Sequence, residues 1–263
     1  NYLLKYPEII QTCHEGLSSE KSIDHNIALI NFYEQLKTKS FLQRYPDINK
    51  ELYKRYNPCI EIEKILLSQH LLISFNEYQK IKKLLGVTNK TLNFLELGAG
   101  YGRTANMILS LEHNCKYVIA DLPASVYFSL KNLREIFKNK KIFAAFEINN
   151  QANMQKAFND NDILFIFPHQ LNLFEDKNFD ISISIGNLCE MEKSQIKQYM
   201  RIFEKKSKYL YFKVWEISGL PYSFYQYYSV HNNKDYEIKK EWIEHFKNRC
   251  LLPKNQFDLG YEF

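Results

Sequence analysis

From Thr91 onward the chain alternates short apolar runs with segments of helical periodicity. Leu92–Leu97, Tyr117–Ala120, Ile163–Phe167, Ile181–Ile185 and Tyr209–Trp215 have the length and the β-branched and aromatic content of strands. Thr104–Leu111, Ala124–Lys138, Gln151–Phe158 and Lys193–Lys205 read as the helices between them. Strands joined by helical crossovers run parallel, and a parallel sheet needs helices on both faces to bury it. The pattern therefore predicts an α/β, Rossmann-like sheet. The stretch Lys141–Ile148 is either an extra strand or a loop excursion.

Residues 1–90 have a different character and read as helices. Asp24-His25-Asn26 are placed to cap a segment through Lys39, with Ile27, Ile30, Phe32 and Leu36 spaced to face a core. A second helical stretch follows Pro58, carrying Ile60, Ile62, Ile65, Leu66, Leu71 and Leu72. It continues through Phe75, Tyr78, Ile81, Leu84 and Leu85, with Gly86 as its stop. The division is thus 1–90 and 91–263, with no flexible linker between them.

Composition closes several alternatives. With 45% hydrophobic and 15% aromatic residues in 263, global disorder is excluded. No apolar run approaches the roughly 18 residues of a membrane span. The five cysteines (Cys13, Cys59, Cys115, Cys189, Cys250) are odd in number and widely spaced. That usage argues against a disulfide framework or a zinc site, and for a reducing, cytoplasmic compartment. The net charge of +5 comes from clusters beside predicted helices, which read as solvated faces rather than a nucleic-acid surface.

The chemistry concentrates in Phe94-Leu95-Glu96-Leu97-Gly98-Ala99-Gly100-Tyr101-Gly102-Arg103-Thr104, where a strand ends and a helix begins. Three of the eight glycines fall within five residues there, and glycine lets a ligand approach the backbone with no Cβ in the way. A dinucleotide site favours G-x-G-x-x-G with a pyrophosphate on the helix N-terminus. Here the spacing is G-x-G-x-G, and Glu96 precedes the first glycine by two residues. A carboxylate at that place repels pyrophosphate and suits a ligand with an ammonium and a sulfonium, which points to S-adenosylmethionine and disfavours a nicotinamide-dependent dehydrogenase. Asp121, nineteen residues after Gly102 at the end of the next strand and followed by Leu122, is placed to accept hydrogen bonds from ribose hydroxyls.

With these residues in hand, the chain resembles the class I S-adenosylmethionine-dependent methyltransferases. More narrowly it resembles the bacterial sugar O-methyltransferases linked to surface polysaccharide synthesis. The narrower likeness rests on ELGAGYGRTA at 96–105, DLP at 121–123, PHQL at 168–171, FDISISIGNLCEM at 179–191 and EWIEHF at 241–246. The family has Ser-Phe-Gln-Glu-Met where this chain has Asn187-Leu188-Cys189-Glu190-Met191. The resemblance implies a seven-stranded, mostly parallel sheet with an antiparallel last strand, and a helical N-terminal region covering the cofactor cleft. It implies that Glu96, Gly98, Gly100 and Gly102 form the methionine and ribose loop. Asp121 and Leu122 follow on the ribose side, and His169 and Gln170 lie near adenine.

Gly186 and Asn187, after the fourth strand, are expected beside the transferable methyl, since ligands of open α/β sheets bind at the carboxyl ends of the strands. The Asp/Asn-Pro-Pro-Tyr/Phe signature of enzymes acting on base nitrogens is missing there, so no nucleic-acid acceptor is expected. Two residues are candidates for the base that deprotonates an acceptor hydroxyl: Glu190, by position, and His231, by a pKa near neutral. Residues 209–228 hold nine aromatics, enough to stack on sugar rings or close a lid as well as to pack. The expected activity is methyl transfer from S-adenosylmethionine to a hydroxyl of a carbohydrate or similar polar small molecule; no residue is assigned as a metal ligand, and a metal requirement is left open. A methyltransferase for another small molecule or RNA, and a cofactor-binding scaffold without catalysis, are the alternatives.

Overall fold

Parity along the strands organises the molecule. In the strand Leu92–Leu97 (β3), Leu92 and Phe94 enter one hydrophobic core while Leu95 and Leu97 enter another. The same split separates Tyr117 and Ile119 from Val118 and Ala120 in β4 (Cys115–Ala120), and Ile163 and Phe165 from Leu164 and Ile166 in β6 (Ile163–Ile166). A strand buried on both faces must lie inside a sheet covered on both sides. The computed structural model, which describes residues 19–221, 228–232, 235–236, 238–250 and 256–263, has that arrangement.

The N-terminal part supplies helices α1 (Ser19–Leu36), α2 (Lys39–Arg44) and α3 (Glu51–Tyr56), the strands β1 (Cys59–Ile62) and β2 (Ile65–Ser68), and helix α4 (Gln69–Leu85). After β3 and α5 (Arg103–Leu111), strand β4 leads into α6 (Pro123–Ile136). Strand β5 (Ile142–Ala144), α7 (Gln151–Asp160) and β6 follow. Then come β7 (Phe179–Ile185), α8 (Lys193–Lys206), β8 (Ser207–Trp215), β9 (Ile217–Pro221), β10 (Tyr228–Asn232), β11 (Ile243–Arg249) and β12 (Gln256–Glu262). The main sheet runs β11-β12-β8-β7-β3-β4-β6-β5. Its pairs from β8 to β5 are parallel, while β12 is antiparallel to β8 and β11 to β12. This is a doubly wound, Rossmann-like sheet, as the alternation predicts.

It has eight strands rather than seven. The additional one is β5, the segment the sequence left open, pairing through three residues on the edge of β6. A second difference lies at 59–68, expected to be helical. Cys59–Ile62 and Ile65–Ser68 pair as a hairpin whose two turn residues, Glu63 and Lys64, both have positive φ (52° and 65°). That turn matches the twist of a two-stranded ribbon, and Ile60 and Ile62 alternate into the core with period two. The first helix also runs through Asp24 instead of being capped by it. Helix α4 does stop where predicted, at Gly86 with φ 68°, whose N–H returns to the Lys82 carbonyl.

Phe75, Tyr78 and Ile81 of α4 are buried in the same core as Phe94, Tyr117 and Ile181, so the N-terminal helices and one face of the sheet form a single packed body. Each such side chain contributes about 1.5–3 kcal/mol of burial. No helix among the described residues is long and apolar enough to cross a membrane.

Candidate active site

The crevice that matters lies at the carboxyl ends of β3, β4, β6 and β7, where an open parallel sheet presents its loops. A cavity of about 430 Å³ there is lined by Gly98, Gly100, Asp121, Leu122, Gly186, Asn187 and Glu190 among others. That volume is within the range of small-molecule sites.

The glycine turn is shaped by its neighbours. Gly98, Gly100 and Gly102 all have positive φ (77°, 57° and 92°). A Cβ on Gly98 would overlap the Asn187 side chain, whereas a Cβ on Gly100 would meet no atom within 4 Å. Gly98 is therefore glycine because the fold is crowded, and Gly100 because its turn requires it and leaves open space. Asn187 is itself tied down: its Nδ2 donates to the Leu97 carbonyl at 2.6 Å, and its Oδ1 accepts from the Ser184 hydroxyl. It thus bridges the ends of β3 and β7.

Asp121 is buried, and its carboxylate accepts from the Gly100 N–H at 2.9 Å and the Leu122 N–H at 2.7 Å. Burial raises its pKa, and these two backbone donors oppose the rise. The acid at the end of the second strand thus holds the glycine turn while facing the cavity. Leu122 lines the cavity as well and is 65% exposed.

Four candidates, Glu96, Gly102, His169 and Gln170, are not among the residues lining the cavity; Gly102 is the N-cap of α5, where a Cβ would stand 3.4 Å from the Leu133 side chain. Glu96 does not line the cavity. It shares the face of β3 with Phe94, is buried, and accepts a hydrogen bond from the Tyr117 hydroxyl at 2.8 Å. Strand parity turns it toward α5, and burial pushes its carboxyl up to about 7 against the Tyr117 hydrogen bond. Gln170, expected near adenine, is buried with its amide fully employed. Its Nε2 donates to the carbonyls of Ala145 and Ile148, and its Oε1 accepts from the Phe167 N–H. It fastens the segment after β5 to the end of β6. His169 is exposed and stacks on Phe167 at 6.1 Å, and it is Pro168 that reaches the cavity.

Glu190 lines the cavity from a short 3-10 turn, Leu188–Glu190. The backbone of His231 lies on β10, paired with Ser218 of β9, and β9 packs against the Leu188–Glu190 turn. Of the aromatic window, Tyr222, Phe224, Tyr225 and Tyr227 lie outside the described residues. The sequence reading missed Ser125, Met191, Gln195 and Tyr199 of the lining. The i, i+4 spacing of Gln195 and Tyr199 on one face of α8 was the available signal.

The N-terminal helices approach the glycine turn from the other side. His70 Nδ1 lies 2.6 Å from the Tyr101 hydroxyl, and burial, with the Arg103 charge, lowers its pKa to about 4. His70 and Glu96 act oppositely on stability. The unfolded chain holds more protons on His70 between about pH 4 and 6.5, so that contribution is lost as pH falls through this window. The folded chain holds more protons on Glu96 between about pH 4.5 and 7, so that contribution is lost as pH rises. We expect thermal unfolding of the ligand-free His70→Asn variant to show stability falling from pH 4.5 to 7, and Glu96→Gln to show it rising from pH 4 to 6.5. Identical pH profiles for both variants would contradict the two assignments.

No protein-family model matches this sequence, and no curated protein matches it. Solved structures do resemble it in chain course. The PH0226 protein of Pyrococcus horikoshii OT3 is 15% identical, with 86% of this chain and 98% of that one covered at a TM-score of 0.47. A S-adenosylmethionine-dependent methyltransferase from Clostridium acetobutylicum is 8% identical, covering 84% and 98% at 0.47. The pyocyanin biosynthetic protein PhzM is 12% identical, covering 85% of this chain and 60% of its own, at 0.46. The residue roles given below rest on the geometry of this chain.

Proposed function

We propose that the protein is a S-adenosylmethionine-dependent methyltransferase acting on a hydroxyl of a sugar or glycan precursor. The observation that carries the cofactor is the charge of the cavity. Among the described residues its lining includes two carboxylates, Asp121 and Glu190, and no Lys or Arg. A pyrophosphate placed there meets repulsion, whereas a sulfonium cation with a ribose finds acceptors. The open space beside Gly100 accommodates close approach of a ligand to the backbone.

In this reading Gly98, Gly100 and Gly102 hold the methionine end, Asp121 accepts from the ribose hydroxyls beside Leu122, and Pro168 borders the adenine. Gly186 and Asn187 form the wall beside the reacting carbon. When bound, S-adenosylmethionine supplies an electrophilic methyl. The chain's own task would be to hold the acceptor hydroxyl beside that methyl, shielded from water, and to accept the hydroxyl proton. Glu190 is the proton acceptor. The sugar acceptor rests on the sequence resemblance and on the polar side chains of the lining, Ser125, Asn187 and Gln195, beside the aromatic ring of Tyr199.

Asp121→Ala removes the acid that binds ribose and orders the turn, so cofactor affinity should fall by about 1–3 kcal/mol. Titration calorimetry with S-adenosylmethionine and, in parallel, NAD reads this directly. Tighter binding of NAD would overturn the cofactor, and transfer of label to a non-saccharide acceptor alone would overturn the sugar.

A further inference from the structure

Helix α4 presents His70, Ser74 and Glu77 at i, i+4 and i+7, one stripe of a helix face. Each polar group of that stripe is fastened to the glycine turn or the residue that follows it. His70 meets the Tyr101 hydroxyl, and Ser74 Oγ accepts from Arg103 Nη1 at 2.8 Å. Glu77 pairs with Arg103 at 2.7 Å. The other oxygen of Glu77 accepts from Lys213 Nζ at 3.0 Å. Lys213 in turn supplies the carbonyl that accepts the Gly186 N–H at 2.9 Å. One fully buried carboxylate therefore joins Arg103, next to the turn at 98–102, to the side chain of Lys213, a residue of β8 whose backbone carbonyl meets the turn at 186.

Burying Glu77, Arg103 and Lys213 together contributes little net stability that apolar side chains of similar volume would not match, because each charge loses its water. What the cluster supplies instead is fixed geometry. We infer that α4 is a clamp that sets the conformation of the glycine turn, with Ser74 and Glu77 as positioning residues for the cofactor. The inference rests on the cofactor reading above and adds a regulatory consequence to it. By linkage, a cofactor that orders the turn also tightens α4, and loosening α4 weakens the cofactor.

The test measures S-adenosylhomocysteine affinity by calorimetry, well below each protein's unfolding temperature, for wild type, Ser74→Ala, Glu77→Gln and Lys213→Met. Ser74→Ala and Lys213→Met keep the Glu77–Arg103 pair, so they report even where Glu77→Gln does not fold. Lys82→Ala is the control: Lys82 lies on α4 too, but its ion pair is to Glu112 at the C-terminal end of α5, the end opposite the glycine turn. Affinity is expected to fall by about 5-fold or more in Ser74→Ala and Lys213→Met, and to stay within about 2-fold in Lys82→Ala. Hydrogen exchange across residues 70–78 is expected to slow when S-adenosylhomocysteine binds wild type. Wild-type affinity in the stripe variants, equal losses in Lys82→Ala, or unchanged exchange would overturn the clamp while leaving the cofactor intact. A wild-type protein that binds no S-adenosylhomocysteine would overturn the cofactor reading and the clamp with it.

Discussion

Gly98→Ala is expected to reduce S-adenosylmethionine affinity by ~100-fold or more and to lower stability by about 2–4 kcal/mol. Two costs add at this position. The backbone sits at φ 77°, where an L-residue is strained, and the new methyl would displace the Asn187 side chain. Asn187 cannot move without releasing the Leu97 carbonyl and the Ser184 hydroxyl, so the ends of β3 and β7 lose their bridge. Gly100→Ala separates structure from binding. Its φ of 57° lies in the left-handed region and its Cβ would meet nothing, so the stability cost is about 1 kcal/mol. Affinity should nevertheless fall, because the methyl occupies the space assigned to the ligand. Calorimetry beside thermal unfolding reads both. Full cofactor affinity in Gly98→Ala would remove the glycine turn from the binding site.

Glu190→Gln is expected to lower turnover by ~100-fold or more with cofactor affinity within about twofold of wild type. The amide keeps the size of the side chain and one acceptor oxygen, but it cannot take a proton. Glu190 lines the cavity from the turn after β7. His231→Ala is the matched comparison, since β10 lies on β9, and β9 lies on the turn that carries Glu190. Single-turnover transfer of labelled methyl to a panel of saccharides and nucleotide sugars, read by mass, separates the two. Unchanged turnover in Glu190→Gln would exclude it as the proton acceptor.

Much of the architecture was legible because it depends on local pattern. The strand–helix alternation after Thr91 specified the parallel sheet, and the G-x-G-x-G spacing specified the turn at its centre. The acid after the second strand fell at the cavity because strand length and crossover geometry put it there. Gly86 ended its helix as glycine does. The hairpin at 59–68 is not legible in the sequence, because Ile60, Ile62, Ile65 and Leu66 satisfy a helical template as well as two short strands. Only pairing of Cys59 with Ser68 and Ile60 with Leu67 distinguishes them.

What tertiary structure alone decided is where polar side chains spend their hydrogen bonds. Glu96 and Gln170 stand at positions that sequence spacing singles out, but spacing says nothing of what their side chains touch. Glu96 is claimed by Tyr117 across the neighbouring strand, and Gln170 by carbonyls more than twenty residues away. The reverse holds for Glu77, which carries no motif and becomes the link between Arg103 and Lys213, the latter 136 positions along the chain. Periodicity and spacing report which way the backbone runs, because those forces act between near neighbours in sequence. A buried carboxylate or amide must find its partners wherever packing brings them, and that choice is made only when the distant segments meet.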